Sequence, residues 1–179
     1  QAYLQALKQF NFIPDTIQAE AVQLTDDLYH SLIQSQLAPQ NSWLKLKALF
    51  TGFKPPHIQG LYFWGGVGRG KTWLMDNFFK SLPFQEKLRI HFHPFMLNVH
   101  KQLESLPKTP NPLQQIAAIM AKKYRLICID EFHVQDITDA MLLSGLLEAL
   151  FDHQVVLVTT SNIAPDKLYH NGLQRERFL

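Results

Sequence analysis

Strand and helix signals alternate from residue 60 to the end of the chain, which predicts an α/β fold with a parallel sheet covered by helices. Three observations carry this prediction. Short apolar runs recur at 61–64, 88–92, 126–130 and 155–160. Helical periodicity fills the intervals at 71–81, 94–106, 112–123 and 136–152. Two of the runs, Leu126-Ile127-Cys128-Ile129 and Val155-Val156-Leu157-Val158, are apolar at every position. Strands take that composition when both faces of the sheet are buried.

The first run, 61–64, leads into Gly65-Gly66-Val67-Gly68-Arg69-Gly70-Lys71-Thr72, which fits the pattern G-x-x-x-x-G-K-[ST]. In such a loop, glycines let backbone N–H groups turn inward around the α- and β-phosphates of a nucleotide. The lysine reaches the β- and γ-phosphates, and the threonine hydroxyl takes one site on Mg²⁺. The helix that follows carries Leu74, Met75, Phe78, Phe79 and Leu82. Strand, glycine loop and helix in that order make the motif specific, where the eight residues alone would not be.

The region before residue 60 reads as helical. Asp15 caps a helix after Pro14, Gln18 reaches back to it, and the helix runs to about residue 35. Another helix is predicted at 42–50. Thr51-Gly52-Phe53-Lys54-Pro55-Pro56 then forms a stiff connector, because two prolines cannot continue a helix. The expected division is a helical segment and linker at 1–55 and a phosphate-loop core at 56–179.

Composition narrows the function classes. The chain has 179 residues, 46% hydrophobic and 18% charged, which places it among folded domains and not disordered chains. A net charge of +2 gives no strong nucleic-acid signal. Cys128, the one cysteine, cannot form an internal disulfide and reads as a small buried hydrophobe. The longest membrane candidate, 140–151, is broken by Ser144, Gly145 and Glu148, so no transmembrane segment is predicted.

The third apolar run ends in Asp130-Glu131. Side chains leaving the carboxyl ends of parallel strands emerge where ligands bind. Asp130 is therefore expected to hold Mg²⁺, directly or through water. Glu131 can accept a proton from a water attacking the γ-phosphate, which is a hydrolase's task. The fourth run ends Thr159-Thr160-Ser161-Asn162, and the Asn162 amide can both donate and accept near that phosphate. Asn162 could equally cap the turn before Pro165. Late in the chain, Gln174-Arg175-Glu176-Arg177 offers planar guanidinium groups suited to phosphate oxygens, or else a solvated helical face.

With these residues in place the chain resembles an AAA+ ATPase. More narrowly, it is similar to the ZapE cell-division ATPases, which group with the mitochondrial AFG-like ATPases. The likeness runs through 60–76, 91–100, 129–143 and 160–179, with a weaker match at 14–21. It implies an AAA+ core using ATP and Mg²⁺, with Gly65, Gly66, Val67, Gly68, Arg69, Gly70, Lys71 and Thr72 around the phosphates. Thr72 and Asp130 would serve the metal, Glu131 the water, and Asn162 would be the polar sensor. Either Arg175 or Arg177 would be the finger offered to an adjacent protomer, so the full-length protein would be a homo-oligomer.

The resemblance further implies a role at the division septum, through FtsZ or membrane-associated division proteins. The place would be the cytoplasm with recruitment to the inner membrane, or alternatively the mitochondrial matrix. In one respect the chain departs from the pattern. It stops at Leu179, before a fifth strand and helical lid could fit, so residues 1–179 are expected to bind nucleotide poorly and hydrolyse it slowly.

Other features point elsewhere. His91 and His93 would share one face of a strand, with His100 on the next helix, but packing explains them better than zinc. His133 stands two residues beyond Glu131, close enough to support it. Asp15-x-x-Gln18 could read adenine, although the helix cap accounts for it. Asp130-Glu131-Phe132-His133 matches a helicase D-E-x-H box, and Gln174-Arg175 echoes a late helicase motif. Only about 40 residues separate them, too few for the second domain a helicase needs. The alternative function is a DNA-associated, helicase-loader-like ATPase, which would need a basic DNA-contacting surface. A small-molecule kinase would not need Glu131 as a base, and no N-K-x-D guanine-reading motif occurs.

Overall fold

The computed structural model describes residues 16–37, 57–107, 109–170, 172 and 175. The chain forms two compact units, 1–59 and 60–179. In the first, helix α1 spans Thr16–Leu37. The predicted cap Asp15, the helix at 42–50 and the connector at 51–56 lie outside the described residues.

The second unit is the predicted α/β fold. Strand β1 (Leu61–Trp64) is followed by α2 (Lys71–Ser81), β2 (Lys87–His91), α3 (Phe92–Ser105) and α4 (Pro112–Lys123). Then come β3 (Leu126–Asp130), α5 (Ile137–Asp152), β4 (Val156–Ser161) and a 3₁₀ turn at Pro165–Lys167. All strand pairs are parallel, in the order β1-β4-β3-β2. The chain leaves β1 for the far edge and then returns inward through β3 to β4. Because crossovers are right-handed, that reversal puts α2 on one face of the sheet and α3, α4 and α5 on the other.

Burial follows the two faces. Ile127 and Ile129 of β3 join Phe92, Phe95, Val99, Ile116, Leu143 and Leu146 in one core cluster. The alternate residues of β3, which are Leu126, Cys128 and Asp130, point to the opposite face, where α2 lies. All five β3 residues are buried, the physical reason that this strand has no polar alternation. Every strand also ends at the same edge, so the β1 loop, Asp130 and Asn162 share one rim.

One boundary differs from the sequence expectation. The run at 88–92 ends as a strand at His91, and Phe92 already begins α3 without a connecting loop. Pro94 then falls in the first helical turn, where no N–H is required of it. His93 is accordingly helical, so it does not share a strand face with His91. Each histidine of the former trio has its own setting. His91 approaches Glu131, and His100 Nε2 lies 2.8 Å from Asp139 Oδ1.

Candidate nucleotide site

The loop between β1 and α2 is open and backbone-rich. Gly68 and Gly70 adopt φ of 79° and 78°, and Gly70 is the residue from which α2 starts. A side chain there would be strained, and glycine also leaves the concave backbone bare. Among the described residues, apart from each glycine's own chain neighbours, no atom lies within 4 Å of a Cβ built at Gly65, Gly66, Gly68 or Gly70. Among the described residues, no side chain caps the α2 N-terminus, whose amides and dipole favour an anion. Val67, at the tip, is 89% exposed.

Lys71 spans this loop. Its Nζ donates to Gly65 O at 2.6 Å, to Gly66 O at 2.8 Å and to Asn162 Oδ1 at 3.1 Å. Desolvation draws its ammonium below the ordinary value of 10.5. Asn162, one residue beyond β4, is thereby tied to the phosphate loop even though 91 residues separate it from Lys71.

Asp130 ends β3 with its side chain 5% exposed. Arg89 Nε donates to Asp130 Oδ2 at 2.7 Å, and Thr160 Oγ1 donates to Oδ1 at 3.3 Å. The other end of the Arg89 guanidinium pairs with Asp76 of α2. Thr160 Oγ1 also accepts from the Glu131 N–H at 3.1 Å. Two further bonds lock the chain after β3 onto β4: Phe132 N–H to Thr160 O at 2.7 Å, and Ser161 Oγ to Phe132 O at 2.7 Å.

This bracing holds Glu131 in the left-handed region, at φ 57°. Its side chain turns outward, 79% exposed, with Oε2 3.7 Å from His91 Nδ1. His133 instead meets Gln135 at 2.8 Å. The histidine beside Glu131 is therefore the one at the end of the neighbouring strand, and not the one two residues along the chain.

Arg175 folds back on its own chain, where Nε donates to Leu168 O at 3.0 Å and a terminal nitrogen to Asp166 O. Arg177 lies outside the described residues.

The donor types suit the ligands the sequence implies. Thr72 and Asp130 offer the hard oxygen donors that Mg²⁺ takes, alongside substrate phosphates. The loop offers amides and an ammonium to a polyphosphate.

Arg89, Asp76 and Thr160 were not among the residues the sequence singled out. One signal was available for Arg89, since a charged residue between Leu88 and Ile90 in a helix-covered strand needs a partner. Asp76 and Thr160 look like ordinary helix and strand residues until the fold brings them together.

Comparison with known proteins agrees with the fold. The model of the AFG1-like ATPase family matches residues 1–179. The chain belongs to the AFG1-like ATPase family. It is 51% identical over 183 residues to "Cell division protein ZapE" of Escherichia coli (strain K12), covering 99% of this chain and 49% of that protein. It is 46% identical over 137 residues to "Lactation elevated protein 1 homolog B" of Danio rerio, covering 70% and 27% respectively. This family member thus spans about half the length of the ZapE relative it matches. A crystal structure of DnaI superimposes with a TM-score of 0.58 at 14% identity, over 93% of this chain and 77% of that one. That likeness speaks for the fold alone. Among the described residues, no helix is long and apolar enough to cross a membrane.

Proposed function

We propose that this chain carries the catalytic core of an Mg²⁺-dependent ATPase that acts on a protein partner in cell division, at the FtsZ ring. The observation that carries the reading is the joining of the phosphate loop to the strand ends through Lys71 and Asn162. Family membership and the printed name of the ZapE relative support the choice of ATPase and of division. The partner, and assembly of the full-length protein into a homo-oligomer, belong to the same proposal.

Each residue has a task that follows from its setting. The loop amides and the α2 N-terminus receive the phosphates. Lys71 exchanges the carbonyls of Gly65 and Gly66 for phosphate oxygens, a gain because its acceptors become charged. Thr72 and Asp130 would hold Mg²⁺, which when bound supplies charge neutralisation at the β- and γ-phosphates. Glu131, exposed at the rim, orients the attacking water and takes its proton. Asn162, which accepts from Lys71 Nζ, would report on the γ-phosphate. For Arg175 to reach a neighbouring protomer it must first release Asp166 O and Leu168 O. Arg177 remains the other candidate for that role.

The test is Glu131→Gln in the full-length protein. The variant is expected to retain ATP, to lose turnover and to accumulate as an oligomer. Unchanged hydrolysis would remove Glu131 from its role. Mixing the variant with Arg175→Ala or Arg177→Ala protein then shows which arginine acts across the subunit boundary.

A further inference from the structure

Asp130 presents a physical problem that its own strand does not solve. A carboxylate this buried is costly unless a cation or several donors hold it. Within β3 its neighbours are Ile129 and Cys128, neither of which can help. The answer comes from the next strand. Arg89 sits opposite Cys128 in the β2–β3 register, two residues before the pair His91–Asp130. From there its Nε reaches Asp130 Oδ2 diagonally.

The same guanidinium pairs with Asp76 through a different nitrogen. Asp76 lies four residues after Thr72, so the two share one face of α2. Arg89 therefore links two elements that each present one oxygen donor: β3 with Asp130, and α2 with Thr72. Among the described residues, the remaining oxygen of Asp130, Oδ1, is held only by the longer Thr160 contact of 3.3 Å.

We propose that Arg89 is a positioning residue, bridging Asp130 to Asp76 so that the β3 carboxylate and the Thr72 face of α2 are set at a fixed separation for the metal. The inference rests on the ATPase reading above. Arginine suits the task because its planar fork engages two carboxylates through separate nitrogens. A lysine would keep the charge and lose the bridge. Partners behind a metal ligand typically change metal affinity by about 10- to 100-fold when removed, which sets the scale of the expected effect.

The experiment uses the full-length protein with Arg89→Lys and, at the far end of the bridge, Asp76→Asn. Two quantities are measured. Binding of a fluorescent ATP analogue in EDTA reports the phosphate loop alone. Titration of Mn²⁺ by electron paramagnetic resonance, with a non-hydrolysable ATP analogue bound, reports the metal site without turnover. Both variants are expected to bind the analogue in EDTA within about threefold of wild type while Mn²⁺ affinity falls at least about tenfold. A merely structural role would weaken both quantities together and would lower the melting temperature in proportion.

Mn²⁺ affinities within twofold of wild type in both variants would overturn the bridge. If Arg89→Lys does not fold, Asp76→Asn decides by the same two readings. Should the wild type fail to bind Mn²⁺ with the analogue, the ATPase reading itself falls. Wild-type binding with unchanged variants removes only the role of Arg89.

Discussion

Thr160→Val is a small change with a calculable consequence. The side chain keeps its shape and its buried place on β4, where Thr160 is 3% exposed, and β-branching is preserved. What goes is a hydroxyl that donates to Asp130 Oδ1 at 3.3 Å and accepts from Glu131 N–H at 3.1 Å. Leaving the Glu131 N–H without its acceptor costs about 1–3 kcal/mol. The bond to Asp130 is long, so its loss adds about 1 kcal/mol, the value of an ordinary hydrogen bond and below the usual range for a charged partner. The extra methyl returns up to about 0.8 kcal/mol. The net expectation is about 2 kcal/mol of destabilisation, or a fall of about 4–8 °C in Tm for a chain of this size. Thr160→Ser keeps both hydrogen bonds but gives up one buried methyl, about 0.8 kcal/mol, so it should recover roughly half of the loss. Urea unfolding followed by circular dichroism, with matched thermal melts, measures both variants. A Thr160→Val protein as stable as wild type would refute the reasoning. So would a Thr160→Ser protein no better than Thr160→Val.

Lys71→Met should weaken ATP binding by about 10- to 150-fold, the value of one hydrogen bond to a charged group. Isothermal titration checks it, and undiminished affinity would exclude Lys71 from phosphate contact. Burial, opposed by the nearby Arg89 charge, pushes the Cys128 thiol from its ordinary 9.0 up to about 12. Its neutral form is thus favoured by folding. That contribution is complete below pH 9 and is lost as pH rises toward 12, by an amount on the order of 4 kcal/mol. The difference in unfolding free energy between wild type and Cys128→Ala should therefore move with pH only above 9, and a flat difference would contradict the burial. A Cβ at position 60 would stand 1.9 Å from Leu157 O. Since that oxygen belongs to the strand paired with β1, Gly60→Ala should cost about 3 kcal/mol or more, read from denaturant midpoints.

Much of the fold was legible because its signals are local. The predicted helices at 71–81 and 112–123 and the strands at 61–64 and 126–130 coincide with the observed elements. Glycines, prolines and apolar periodicity act within a few residues, so a linear reading captures them. The phosphate loop was legible for the same reason, since its chemistry is backbone chemistry carried by eight consecutive residues. The end of β2 was misplaced because Pro94 looks like a helix start but sits within a first turn. Sequence proximity suggests His133 as a support for Glu131. The left-handed backbone at Glu131 separates those side chains, and strand pairing supplies His91 instead.

The amino-acid order by itself therefore determined the elements, the parallel character of the sheet and the loop that addresses a polyphosphate. Only the tertiary structure decided how the strands are ordered, and with it which polar groups meet. Arg89, Asp76 and the pair Thr160 and Asn162 come from three separate stretches of chain, and their partners are set by how those stretches pack. No local pattern encodes that packing. It follows from burying two apolar faces at once, a requirement that the whole sheet satisfies together.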